Sequence, residues 1–381
     1  MMATVDLEPG DTLVSVPKNI LITASEVAKR LNVGHQLDSN QLLVLEICRL
    51  KQQGKESSWW PYVRLLPQDF NTMPVTYPED ILKSALPPHL TAEIQEQKAK
   101  IDADYRHVVQ YSKNTSLGVE NIDYKEFEWA WLCGEHLIVL GELTESVGTE
   151  DRSIVGGNIA LAPMLDFLNH KSDAQFECGY NHKTQSFDIR TLMPYRRGQQ
   201  VFFQYGAHDN AFLLKEYGFV VANNPYSAIN LDDQMSKLLA RLRVSGKFGA
   251  MKLKMLEDNG DYTIRRNDIS FRTLSALRLI MATDKTQCSA WQRCVLGSQD
   301  IISDEIEQQV GLLLGDMCAN TVRRSERSLE YLQNLKLQES PKTTVDSFAA
   351  LFLETLWKEY KSIGEAAQIE LIPGLLTSSN S

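Results

Sequence analysis

The chain has 381 residues, 43% of them hydrophobic and 23% charged, with a formal net charge of −10. That length points to two or three domains, and the composition is that of a globular protein with apolar material for more than one core. No run reaches the roughly 18 apolar residues that span a bilayer, no basic segment followed by an apolar one marks a leader, and the acidic balance argues against unspecific binding to DNA or RNA, so the chain is expected in the cytoplasm, the nucleus or both, as a monomer without membrane association.

Residues 1–23 read as strand and turn. Leu7-Glu8-Pro9-Gly10-Asp11 is a turn signal, and Leu13-Val14-Ser15-Val16-Pro17 is a short strand closed by proline. Ser25 is expected to cap a short helix over Glu26–Leu31. Residues 40–145 are mostly helical. Leu42, Leu43, Leu45, Ile47 and Leu50 fit a buried face, which Ser58-Trp59-Trp60-Pro61-Tyr62 interrupts as a packing cluster. A charged helix follows from about Thr91 to Gln110, and another from Tyr124 to Leu140 built on Phe127, Trp131 and Leu132.

The period then changes. Gly156-Gly157 makes a turn into the Ile159–Leu168 run, a strand that ends in Asn169-His170. Phe176–Tyr180 and Ser186–Arg190 flank a hairpin turn, Tyr195–Gln199 is a second turn, and Val201–Tyr205 is the next strand. Asp209 or Asn210 caps a helix leading to Glu216-Tyr217-Gly218-Phe219. Residues 231–365 return to helix. Ile306, Val310, Leu313, Leu314, Met317 and Thr321 mark one face of a long helix, which continues through an Arg-rich turn toward Leu329. The Ser-rich tail Thr377–Ser381 is expected to be disordered.

Six cysteines are present without a C-x-x-C pair or zinc spacing. They are expected to be reduced and buried, and no metal site is expected.

Asn169-His170, taken alone, is most simply a structural pair at a strand end. Tyr205 and Tyr217, each beside a glycine, are most simply packed rings with a bonded hydroxyl. Their order reverses that reading. Ala160–His170, Ile189-Arg190-Thr191, Tyr205–Asn210, Glu216–Val220 and Trp129-Ala130-Trp131 together resemble the SET methyltransferases related to the Rubisco large-subunit lysine methyltransferase.

The resemblance implies an α+β protein: a SET-type β fold of short strands with a helical insertion, followed by an all-α C-terminal domain. Residues 1–31 would form the first part of the SET domain, 32–150 the helical insertion, 151–230 the second part, and 231–381 a helical substrate-binding domain. It implies methyl transfer from S-adenosylmethionine to a lysine of a protein substrate, a basic histone tail being one candidate. Asn169 and His170 would bind the cofactor, Tyr217 would be the main catalytic tyrosine with Tyr205 its partner, and Asp166 would stand at the wall of the lysine channel.

Two departures from the family pattern are visible. The Gly-x-Gly loop that precedes the Ala-Thr-x-Asp-Leu-x-Pro-Gly segment would fall before Ala3-Thr4-Val5-Asp6-Leu7-Glu8-Pro9-Gly10, so the chain looks truncated at its start. The arginine of a Ser/Thr-Arg pair, counted from Trp129, is replaced at about Leu137, which offers no guanidinium fork. They support an alternative reading, a catalytically silent SET fold that serves as a protein-binding module.

Overall fold

The computed structural model describes residues 1–33, 36–114, 121–136, 159–256, 260–337 and 346–377. Leu137, the Gly156-Gly157 turn, the end of the helix expected to reach Leu140, and most of the Ser-rich tail lie outside the described residues. The chain divides into two units, residues 1–70 with 95–207, and residues 71–94 with 208–381. The fold class is α+β, with short sheets in the first unit and a mostly helical C-terminal portion.

Among the described residues the first unit holds seven strands: β1 (Thr12–Pro17), β2 (Ile22–Thr23), β3 (Ala160–Leu161), β4 (Asn169–His170), β5 (Phe176–Asn181), β6 (Ser186–Thr191) and β7 (Phe202–Phe203). They form three small sheets, β1-β6-β5, β2-β3 and β4-β7, the last pair parallel. Alternation along β1 turns Val14 and Val16 inward, where they join Phe187, Ile189, Leu165, Leu168, Val201 and Phe203 in one core. The strand expected over Val201–Tyr205 shortens to Phe202–Phe203. The Ile159–Leu168 run is not one strand either: β3 gives way to a 3-10 turn over Leu165–Phe167, and Asn169-His170 forms a separate strand. Apolar content marked this run as buried but could not distinguish an extended chain from a tight turn.

Helices flank these sheets. The Ala24–Leu31 helix is capped by Thr23, whose hydroxyl accepts from the Glu26 amide at 3.2 Å. Ser25, the expected cap, lies inside the helix and is buried, because the helix begins two residues earlier than expected. The Ser39–Gln53 helix opens with a reciprocal capping box between Asp38 and Gln41. Its Glu46 is fully buried and holds the Arg49 guanidinium through two bonds of 2.8 and 2.7 Å, with Arg30 as a second cation. Such pairing is what makes a buried carboxylate tolerable.

The second unit is built on helices over Glu79–Ala85, Asn210–Tyr217, Asp232–Arg243, Gly246–Leu256, Phe271–Met281, Lys285–Val295, Asp304–Leu337 and Ser347–Ala366. The Asp304–Leu337 helix runs without interruption through the Arg-rich stretch, so no turn divides it. Ile306, Val310, Leu314 and Met317, at helical spacing, form its buried stripe. Arg278 clamps the buried Glu307 with bonds of 2.7 and 2.8 Å, and Trp357 donates its indole N–H to the Ala85 carbonyl at 2.6 Å. A three-stranded sheet, absent from the sequence reading, also sits here: β8 (Ala228–Asn230), β9 (Thr263–Arg265) and β10 (Asp268–Ile269), in the order β10-β9-β8. Strands of two or three residues are too short to show a period.

Five cysteines are buried as expected, whereas Cys178 on β5 is exposed. No described helix is long and apolar enough to cross a membrane.

Candidate active site

The parallel pairing of β4 with β7 sets Asn169 opposite Phe202 and His170 opposite Phe203. Beyond β7 the chain turns back over His170. The Tyr205 amide donates to His170 Nδ1 at 3.0 Å, and the Tyr205 hydroxyl donates to the Leu168 carbonyl at 2.8 Å. The two rings meet edge to face, with centroids 5.2 Å apart. Gln204 adds a bond from its amide to the Ser172 carbonyl at 2.6 Å. Because Nδ1 accepts the backbone amide, its lone pair is committed and the ring proton belongs on Nε2, which faces the Ser172 hydroxyl at 3.4 Å.

Asn169, His170 and Tyr205 are thus brought into one short segment of structure. Asn169 is exposed on its strand, and its carboxamide makes no hydrogen bond to another described residue. A rigid strand that presents a donor–acceptor amide beside a fixed imidazole and tyrosine fits a ligand with several polar groups, as S-adenosylmethionine has.

Asp166 stands just upstream, in the 3-10 turn. The Tyr62 hydroxyl donates to Asp166 Oδ2 at 2.6 Å. Oδ1 is buried and makes no hydrogen bond to another described residue. Burial pushes the Asp166 carboxyl up to about 7, against the opposing pull of the Tyr62 bond. Burial, followed by the nearby Asp166 carboxylate, likewise drives the Tyr62 hydroxyl well above its ordinary range. Entry to this turn is strained: Met164 adopts φ 77°, in the left-handed region, while exposing 53% of its surface. Tyr62 was read from the sequence as packing. Nothing local to Trp59-Trp60-Pro61-Tyr62 announces a partner so far along the chain.

Tyr217 belongs to the second unit, where it is the last residue of the Asn210–Tyr217 helix. Asp209 caps that helix by accepting from the Phe212 amide at 2.8 Å. At its other end Gly218 takes φ 68° and donates to the Leu214 carbonyl at 3.0 Å. A Cβ at Gly218 would stand 2.7 Å from Thr72 Oγ1 and 2.9 Å from Met73 Cγ, so this close approach requires glycine. Lys215 bridges Glu93 and Glu216, each at 2.9 Å. Asn210 bonds both the N–H and the C=O of Val221 and also meets Glu359, at 2.8, 2.9 and 3.0 Å. Tyr217 is half-buried between Phe212 and Phe219, and burial together with Glu216 raises its hydroxyl above the ordinary phenol range.

Residues 1–206 match the SET domain family. The chain is similar to SET domain-containing protein 4 of Mus musculus, with 29% identity over 99% of this chain and 85% of the mouse protein. It is similar to the ribosomal lysine N-methyltransferase set11 of Schizosaccharomyces pombe, with 30% identity over 74% of this chain and 68% of the yeast protein. Its fold is similar to that of Rubisco LSMT bound to AdoMet, with a TM-score of 0.65 and 19% identity over 97% of this chain and 85% of that one. The chain belongs to the SET domain family of protein methyltransferases.

Proposed function

We infer that this chain is a protein-lysine N-methyltransferase that uses S-adenosylmethionine. The observation that carries the reading is the His170–Tyr205–Leu168 cluster on β4 and β7, in the part of the chain that matches the SET family. When bound, S-adenosylmethionine supplies an electrophilic methyl group.

Asn169 and His170 hold the cofactor from backbone positions set by strand pairing, with the His170 ring further held by the Tyr205 amide. Tyr205, locked by its hydroxyl to the Leu168 carbonyl, forms a rigid apolar wall with a polar rim. Tyr217 offers its hydroxyl to the incoming amine as the principal catalytic tyrosine. Asp166 lines the lysine channel, and its carboxyl, pushed up to about 7, is only partly ionised at neutral pH. Lysine has a reference pKa of about 10.4, so a desolvated channel must favour the neutral amine before its lone pair can attack. Orientation and desolvation supply the rate, and neither a metal nor a covalent intermediate is required.

The substrate is a lysine on a protein. The net charge of −10 favours a basic segment, and a histone tail is one such candidate. Residues 231–381 serve as the helical substrate-binding domain in this reading. The test is incubation with labelled S-adenosylmethionine and a set of histone and ribosomal proteins, with modified residues located by mass spectrometry. Label on lysine that disappears in Tyr217→Phe supports the proposal. Label on histidine alone would move the acceptor to an imidazole. Cofactor binding by calorimetry without transfer to any substrate would favour the silent binding module.

A further inference from the structure

The Arg-rich stretch of the Asp304–Leu337 helix takes no part in the site above. Asn320, Arg323, Arg324 and Arg327 stand at positions i, i+3, i+4 and i+7 and therefore share one helix face. With Gln234 and Lys237 of the Asp232–Arg243 helix they line a recess of about 280 Å³ within the second unit.

Four cations meet in this recess, in a protein whose overall charge is −10. Among the described residues a single carboxylate answers them: Asp233 accepts from Arg324 at 3.0 Å. Lys237 and Arg327 are exposed and make no hydrogen bond or ion pair with any described residue. Like charges held together raise the local potential and attract an anion.

Part of the lining is also preorganised. Asn320 fixes the Arg323 guanidinium at 2.6 Å, and Asp233 fixes that of Arg324. Gln234 is tied to the Met317 carbonyl and the Thr321 hydroxyl, each at 3.3 Å. Groups already ordered in the free protein lose less entropy when they bind. Guanidinium forks match the paired oxygens of a phosphoryl group, and its charge of about −1.5 to −2 suits the uncompensated cations better than one carboxylate does. Nucleic acid fits less well, since no aromatic ring among the described residues lines the recess to stack a base and the net charge of the chain repels a polyanion. The volume lies just below the usual range for small-molecule pockets and accommodates one modified side chain.

We propose that the recess formed by Lys237, Arg323, Arg324 and Arg327 is a docking site for a phosphorylated side chain of a protein partner. This inference is independent of the methyl-transfer reading, and its test needs no cofactor. The full chain is titrated by calorimetry with a short glycine- and alanine-flanked phosphoserine peptide, its unphosphorylated twin, inorganic phosphate, and a single-stranded RNA oligonucleotide.

Binding of the phosphopeptide alone, weakening as salt rises, is the expected result. Lys237→Gln and Arg327→Gln should each reduce its affinity about tenfold without lowering the melting temperature, since neither side chain supports the fold. Arg323→Lys keeps the charge but loses the fork, and should weaken binding severalfold. The proposal is overturned by equal binding of the twin, by inorganic phosphate binding as tightly as the peptide, by tighter binding of RNA, or by unchanged affinity in the Lys237→Gln/Arg327→Gln double variant.

Discussion

The Tyr62 hydroxyl reaches Asp166 Oδ2 at 2.6 Å, joining residues 104 positions apart and placing a carboxyl group in a half-buried turn immediately before Asn169 and His170. Water normally stabilises the ionised form of a carboxylic acid. Here that solvation is largely lost, and a single neutral donor replaces it incompletely.

A measurable pH dependence follows. Asp166 titrates near 7 in the folded protein, above the roughly 3.9 of an unfolded aspartate. The native state therefore binds this proton more tightly, and its contribution to stability falls as pH rises from about 4 to about 7. Asp166→Asn still accepts from Tyr62 but cannot ionise. Above pH 7 the variant should be more stable than the parent by on the order of 2–4 kcal/mol, with the advantage vanishing near pH 4. Urea unfolding of both proteins between pH 4 and 8 checks this; parallel stability curves would remove Asp166 as the source.

Tyr217→Phe keeps the ring between Phe212 and Phe219 and removes only the hydroxyl. If that oxygen contacts the amine in the transition state, turnover should drop about a hundredfold with the melting temperature nearly unchanged. Steady-state methyl transfer and a thermal melt on the same preparation suffice, and full activity in the variant would reassign the catalytic tyrosine.

Gly218→Ala tests the support beneath Tyr217. A β-carbon there meets Thr72 and Met73 inside contact distance and forces an alanine into φ 68°. Loss of about 1–3 kcal/mol of stability is expected. Because Gly218 terminates Tyr217's own helix, kcat should fall more than KM rises. An unchanged melt together with unchanged kinetics would show that the turn relaxes freely.

His170 separates cofactor contact from scaffolding. His170→Ala leaves the Tyr205 amide without its acceptor, at a cost of about 1–3 kcal/mol if the group stays buried. His170→Asn can place its Oδ1 near the former Nδ1 and should recover most of that stability. Both variants should bind S-adenosylmethionine about ten to a hundredfold more weakly by calorimetry. Parental affinity in His170→Asn would confine His170 to a scaffolding role.

Much of the architecture was legible along the chain. The alternation of Leu13–Pro17, the Phe176–Arg190 hairpin, the Asp209 cap and the stripe from Ile306 to Met317 all depend on neighbours within a few residues. The order of Asn169-His170, Tyr205 and Tyr217 carried the family, since local motifs survive as patterns of residue type. Local signals also misled where competing geometries share one composition: Ser25 looked like a cap although Thr23 begins the turn, and Ile159–Leu168 looked like one strand. Only tertiary structure decided which groups lose water and which partners they find. No sequence spacing joins Tyr62 to Asp166, Tyr205's amide to His170, or Lys237 to Arg327. Hydrogen bonds, desolvation and electrostatic potential depend on separation through space, and the folded backbone sets that separation.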